Sequence, residues 1–144
     1  TADIMASSYG VRKVLVEACA HIAQEVYLSI SMEPVSAKAM VMLCPSGGVE
    51  IEELARTAPE KILKGYIALE EGVSGRMLDK LLGAAGFSAP VEAQMRTLIE
   101  RLYQTFRQYD AELAEINPVF VTPEETVVAG DGKLIIDDDS VHPV

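Results

Sequence analysis

The chain has 144 residues, 49% hydrophobic and 24% charged, which suits one ordinary domain with a real core and excludes a disordered chain. Its 22 acidic residues against 12 Lys and Arg leave a net charge of −10, which argues against nucleic-acid backbones and anionic membranes and for cations or cation-bound anions as partners. No apolar run approaches the roughly 18 residues of a membrane-spanning helix, and the N-terminus lacks the order of a signal peptide.

Cys19 and Cys44 lie in apolar runs without paired spacing, so buried thiols in a reducing, cytoplasmic setting are expected instead of a disulfide framework or a zinc site. The chain opens on TADIMASSYG without an initiator Met and stops at DDDSVHPV without an evident terminal element. It is expected to be a piece of something longer, a single domain over residues 1–144.

In chain order, residues 11 to 19, VRKVLVEAC, are β-branched and apolar enough for a buried strand that runs into a short polar crossing, AHIAQ. EVYLSISME and AMVMLC predict two antiparallel strands joined by a Pro and Ser turn. PSGGVEIEELARTAP predicts turn glycines and a short amphipathic helix with acidic residues in its first turn, ending near Ala58 before Pro59. KILKGYIAL predicts a further strand. SGRMLDKLLGAAG predicts a helix capped by Ser74 and stopped at Gly83 or Gly86. The longest helix follows from Ser88, with an apolar stripe of Val91, Met95, Leu98, Leu102, Phe106 and Tyr109 expected to face a sheet. Strand pairs with helices inserted between them predict an α+β fold, a mainly antiparallel sheet with packed helices.

The last stretch, AEINPVFVTPEETVVAGDGKLIID, predicts two antiparallel strands, and partners in such a ladder have a constant index sum. A sum of 248 sets Ile116 against Gly132, Phe120 against Val128 and Ala114 against Leu134, giving one apolar side expected to lie on the long helix. The same register sets Asn117 against Asp131 and Glu115 against Lys133 on the other side. A slip by one would mix polar and apolar residues on each face, which one-sided burial disfavours. Pro118 cannot donate to the ladder and marks a point where a bulge would alter the alignment.

An amide oxygen facing a carboxylate, with a second carboxylate two residues along, is a set of hard oxygen donors suited to Mg²⁺ that shares substrate phosphates. The same residues also fit two turn dipeptides, Asn-Pro and Asp-Gly, and a solvated cross-strand pair of Glu115 with Lys133.

The run EINPVFVT…GDGKLIIDD is similar to the signature of the β subunit of succinyl-CoA synthetase and related ADP-forming acid–CoA ligases. VLVEACAHIAQEVYLSI, SGGVEIEELARTAPEKI and LIERLYQTFRQYDAELAEINP resemble the same subunit in the same order, over roughly residues 11 to 140. The resemblance implies an ATP-grasp fold, in which two lobes clamp Mg²⁺ and ATP (or GTP), and makes this chain the second lobe with the strand leading into it. It implies Asn117 and Asp131 as metal ligands and Glu115 as the residue facing the phosphoryl group passed to a histidine. Glu17 and Glu25, with a backbone contact at Ala20, are implied to receive adenine and ribose.

The partner implied is an α subunit carrying the phosphorylated histidine and the CoA site, so His21 and His142 are expected to have no catalytic part. The implied reaction converts acid, CoA and ATP into acyl-CoA, ADP and phosphate through an acyl phosphate and a phosphohistidine. Its acid is succinate, malate or another dicarboxylate, set outside these residues. A preceding lobe with a phosphate-holding lysine and a following domain, both implied by the family, lie outside this stretch, and the piece is expected to be inactive alone. A non-catalytic interaction module that keeps the fold is the alternative, disfavoured by Glu25, Asn117 and Asp131. Lys133 is expected to offset the cluster's charge as an ion pair or to meet a phosphate oxygen. The glycine turn at residues 46–48 and the acidic run at 137–139 are expected to be an ordinary turn and a solvated run.

Overall fold

The computed structural model describes residues 14, 16, 19, 21–33, 37–47 and 51–137. Within them a six-stranded antiparallel sheet is built from β1 (Gln24–Glu33), β2 (Lys38–Cys44), β3 (Leu63–Ile67), β4 (Ala111–Val121), β5 (Val127–Ala129) and β6 (Gly132–Ile136). The order is β3-β2-β1-β4-β5, with β6 also pairing β4. Three helices interrupt it, α1 (Ile51–Thr57), α2 (Gly75–Ala85) and α3 (Ala89–Gln108), and a 3-10 turn, Pro59–Lys61, follows α1. The expected α+β fold of an antiparallel sheet with packed helices is therefore the fold observed.

Period-two alternation in β1 explains which face is covered. Val26, Leu28 and Ile30 are fully buried and join Ala39, Val41 and Leu43 of β2 beneath α2 and α3, as expected of a sheet with one face on the core. β1 and β2 form the expected hairpin, with Leu28 opposite Leu43 and Ile30 opposite Val41.

Helix α2 begins after Ser74, whose hydroxyl makes no capping hydrogen bond. It stops where Gly86 takes the left-handed conformation at φ 71°, leaving Gly83 inside the helix. Of the two expected stops, Gly86 wins because only it lies where the chain needs a positive φ. Arg96 of α3 bonds Asp79 of α2 at 2.7 Å and Glu92 at 3.4 Å, an exposed tie worth little to stability.

Helix α3 buries Val91, Met95, Ile99, Tyr103 and Phe106, with Leu98 and Leu102 only partly buried and Tyr109 exposed. The expected stripe is thus corrected. Apolar residues flank both sides of positions 98–103, and the ridge at steps of four, from Val91 to Tyr103, is the one laid on the sheet. Ile99→Ala should lower stability by about 2–5 kcal/mol and Leu98→Ala by clearly less, as read from denaturant midpoints.

The strand expected over residues 11–19 falls largely outside the described residues. Val14, Val16 and Cys19, which are described, are exposed and non-strand, whereas Cys44 is buried. The expectation of two buried thiols is corrected for Cys19, since β-branched composition favours a strand only where a neighbouring layer covers it. The loop after β2 is held differently. The Gly47 N–H donates to the Glu25 carbonyl at 2.6 Å, and a Cβ at Gly47 would stand 2.5 Å from the Val26 nitrogen, so only glycine fits there.

Candidate functional site

Strand β4 carries the site, and its two halves face opposite ways. Ala114 and Ile116 are buried on the helix side, and so are Val119 and Val121, so the alternation breaks between residues 116 and 119. At that point the Asn117–Pro118 peptide is cis, and the pairing with β1 shifts from Leu28–Ile116 to Val26–Val119, leaving Tyr27 alone opposite two residues. This is the local geometry of a bulge.

On its other side β4 keeps the index sum of 248 through both partners. Glu115 faces Lys133 and Ile116 faces Gly132 on β6, and Phe120 faces Val128 on β5. The expected register is observed, with the continuous partner strand divided into β5 and β6 around Gly130 and Asp131. The faces are partly corrected. Because the bulge at Asn117 and Pro118 inverts the alternation, Phe120 and its partner Val128, 40% exposed, lie opposite to the buried Val119 and Val121, whereas Leu134, paired with the buried Ala114, is 40% exposed along with the rest of β6.

The face turned away from α2 and α3 forms the floor of a cleft of about 850 Å³, within the range of small-molecule sites. Leu113, Glu115, Asn117 and Pro118 of β4 line it with Tyr27, Met42, Lys64 and Lys133. Helix α1 supplies the facing wall through Ile51, Glu52 and Ala55. A single cross-strand row runs Lys133, Glu115, Ser29, Met42, Lys64, so one acidic group lies between two lysines at the ends of the sheet. Among the described residues no ion pair joins Glu115 to Lys133, which corrects the cross-strand ion pair and leaves the ammonium facing the cleft.

Glu115 is instead held by Tyr27, whose hydroxyl donates to Oε2 at 2.7 Å. Tyr27 is 2% exposed, and burial, reinforced by the neighbouring Glu115 carboxylate, pushes its phenol far above the usual range. The group therefore remains a protonated donor. Asn117 is half-buried, and its backbone N–H donates to the Asp131 carbonyl at 3.0 Å. Asp131 is exposed, and its Oδ1 accepts the Gly132 N–H at 2.9 Å. Asn117 and Glu115 thus line the cleft, whereas Asp131 is joined to Asn117 through the backbone and is not among the residues lining it.

Among the described residues no group of three or more His, Cys, Asp and Glu could hold a metal ion unaided. The amide of Asn117 and the carboxylate of Asp131, on residues bonded backbone to backbone, are donors of the kind that fits Mg²⁺, which takes one or two protein ligands and completes its shell with water and substrate phosphates. Glu25 is half-buried on β1 and pairs with Phe120. Alternation puts it on the same side as Tyr27 and the cleft, about 7 Å further along the strand. Glu17, Ala20 and His142 lie outside the described residues, and His21 is exposed. Tyr27, Met42 and Lys64 are the cleft residues that neighbouring strands add to the hairpin, beside the α1 wall. The signal for Tyr27 was present in β1, whose odd positions run Glu25, Tyr27, Ser29, Ser31, Glu33 beside apolar even ones.

The family model of the ATP-grasp domain matches residues 2–121. The chain belongs to the ATP-grasp family. This ATP-grasp chain is 47% identical over 135 residues to the ADP-forming sulfoacetate-CoA ligase subunit SauC of Bilophila wadsworthia, covering 94% of the chain and 36% of that protein. It is 42% identical to subunit SqwK of the same activity from an Acholeplasma species, covering 90% of the chain and 32% of that protein. Against the succinate–CoA ligase (ADP-forming) β subunit of Leptospira biflexa it is 36% identical, over 92% of the chain and 34% of that protein. The chain thus spans about a third of the length of the curated relatives it matches. The solved structure of ATP citrate lyase from Methanothrix soehngenii, in complex with citrate and coenzyme A, shares the fold at a TM-score of 0.61 and 20% identity, over 85% of this chain and 26% of that one. No helix among the described residues is long and apolar enough to cross a membrane.

Proposed function

We propose that residues 1–144 are the second ATP-grasp lobe of the β subunit of an ADP-forming acid–CoA ligase. In this reading Asn117 and Asp131 hold Mg²⁺, Glu25 faces the nucleotide with Glu17 and Ala20 before it, and Glu115 serves the phosphoryl group in transit. The observation that carries it is the β4–β6 pairing, in which the Asn117 backbone is bonded to that of Asp131 and Glu115 lies two residues along on the cleft floor. When bound, Mg²⁺ would neutralise charge developing on the transferred phosphate oxygens and hold them in line.

The chain's own residues do the rest of the work on this face. Glu115, its Oε2 occupied by Tyr27, offers Oε1 to an N–H donor, which suits an imidazole that must be oriented and stabilised while it takes up a phosphoryl group. Lys133 presents a positive charge beside it, placed to meet a phosphate oxygen. The imidazole would come from a partner α subunit, whose phosphohistidine passes the phosphoryl group to the carboxylate of the acid; the CoA thiol then attacks the resulting acyl phosphate, forming acyl-CoA and releasing inorganic phosphate.

The higher identity to two sulfoacetate–CoA ligase subunits than to succinate–CoA ligase β subunits favours a sulfonate-bearing acid over a dicarboxylate. The test is ADP release by the full-length chain assembled with its partner subunit, with CoA, with and without Mg²⁺, across sulfoacetate, succinate and malate. Mg²⁺-dependent ADP release with one of these acids is expected, sulfoacetate foremost. Metal-independent turnover, or none with any acid, overturns the reading.

A further inference from the structure

We propose that Tyr27 is the positioning residue of Glu115, holding its carboxylate in the single orientation that leaves one oxygen open to the cleft. The inference rests on the reading of Glu115 given above and assigns what makes that carboxylate competent. A glutamate side chain has several staggered rotamers, and its neighbours in the cross-strand row offer Glu115 little else to fix one. Lys133 forms no ion pair with it, and no hydrogen bond joins it to the buried Ser29 hydroxyl. The Tyr27 hydroxyl at 2.7 Å from Oε2 is the side-chain contact that remains.

The placement of Tyr27 is itself built into the sheet. At the bulge it stands alone opposite Asn117 and Pro118, so its ring enters the cleft floor between Glu115 and the residue paired with Asp131. The ring is buried and its hydroxyl is the end that reaches the carboxylate. Since burial and the Glu115 charge keep the phenol protonated, the bond is charge-assisted and directional. It leaves Oε1 as the acceptor for an incoming N–H. One buried tyrosine thus couples the strand that carries Glu25 to the carboxylate that serves the phosphoryl group.

The test uses the full-length chain with its partner subunit and the variants Tyr27→Phe, Glu115→Gln, the double variant and Tyr103→Phe. The measurements are the single-turnover rate of phosphate transfer from labelled ATP to the partner, and the KM for ATP. Tyr27→Phe keeps the buried ring and is expected to slow transfer about tenfold while KM stays within about twofold, the signature of a loss confined to the transition state. In the Glu115→Gln background Tyr27→Phe should add no further loss, because the two residues act as one unit. Tyr103→Phe, which removes another buried hydroxyl on α3 away from the cleft, should transfer at the unaltered rate.

Wild-type transfer by Tyr27→Phe with a slowed Glu115→Gln overturns the role of Tyr27 and leaves that of Glu115 standing. Fully additive losses, or an equal loss in Tyr103→Phe, also overturn it, because both mark general packing. Wild-type transfer by Glu115→Gln overturns the reading on which the inference rests.

Discussion

Replacing Asn117 and Asp131 together by Ala is expected to reduce Mg²⁺-dependent ADP formation by the assembled ligase by about 100-fold or more. Even residues that only support a metal ligand are typically worth 10–100-fold, and this variant removes both of the proposed protein ligands. The geometry makes the pair a unit. Asn117 and Asp131 are bonded backbone to backbone at 3.0 Å, so their side chains leave adjacent points of the same rung. Each single variant should raise the Mg²⁺ concentration needed for half-maximal rate, and the double variant should do so without a proportionate loss of fold, because Asp131 is exposed and Asn117 only half-buried. Titration of rate against Mg²⁺, with circular dichroism as the check on folding, decides it. Wild-type metal dependence in both single variants would sink the assignment.

Glu115→Gln is the second large effect, a fall of about 10²-fold or more in phosphate transfer to the partner with nucleotide affinity nearly unchanged. A positioned charged group acting on a proton or cation in the transition state contributes about 10²–10⁴, and glutamine keeps the size while removing the charge. The Tyr27 hydroxyl can still donate to an amide oxygen, so the side chain stays near its place. What is lost is the charge that favours the imidazolium form. The separation of the two effects is informative, since the ligand pair should move the metal requirement and Glu115 the transfer rate. Equal shifts of both quantities by both sets of variants would mean that the whole cleft had collapsed and would remove the distinction between their roles.

Much of this was legible in the sequence because strands obey a simple arithmetic. The sum of 248 in the last ladder follows from where polar residues fall, and it holds from Leu113–Ile135 to Val121–Val127. Helix ends were legible for a similar reason, since Gly86 freely takes the positive φ that ends a helix and Pro59 fixes its own φ and restricts the residue before it. The face of β4 was not. Its inversion depends on a bulge whose effect on β1 cannot be counted from β4 alone, and so Phe120 was placed on the wrong side. The α3 stripe was ambiguous because Leu98, Ile99, Leu102 and Tyr103 are all apolar and only the sheet beneath chooses among them. Tyr27 escaped notice because an aromatic residue in a strand is expected in a core, and its partner lies 88 residues away.

The close approach of Gly47 to β1 couples two parts of the cleft mechanically. Four peptide steps separate Gly47 from Ile51, the first residue of α1, a reach of at most about 14 Å. The wall that α1 forms is therefore tethered to the backbone of Glu25 and Val26, at the root of the strand that bears both the proposed nucleotide contact and Tyr27. This anchor limits how far the wall can move from the floor. Any side chain added at position 47 would act as a wedge, displacing the nucleotide end of β1 and the gauge of the cleft in one movement.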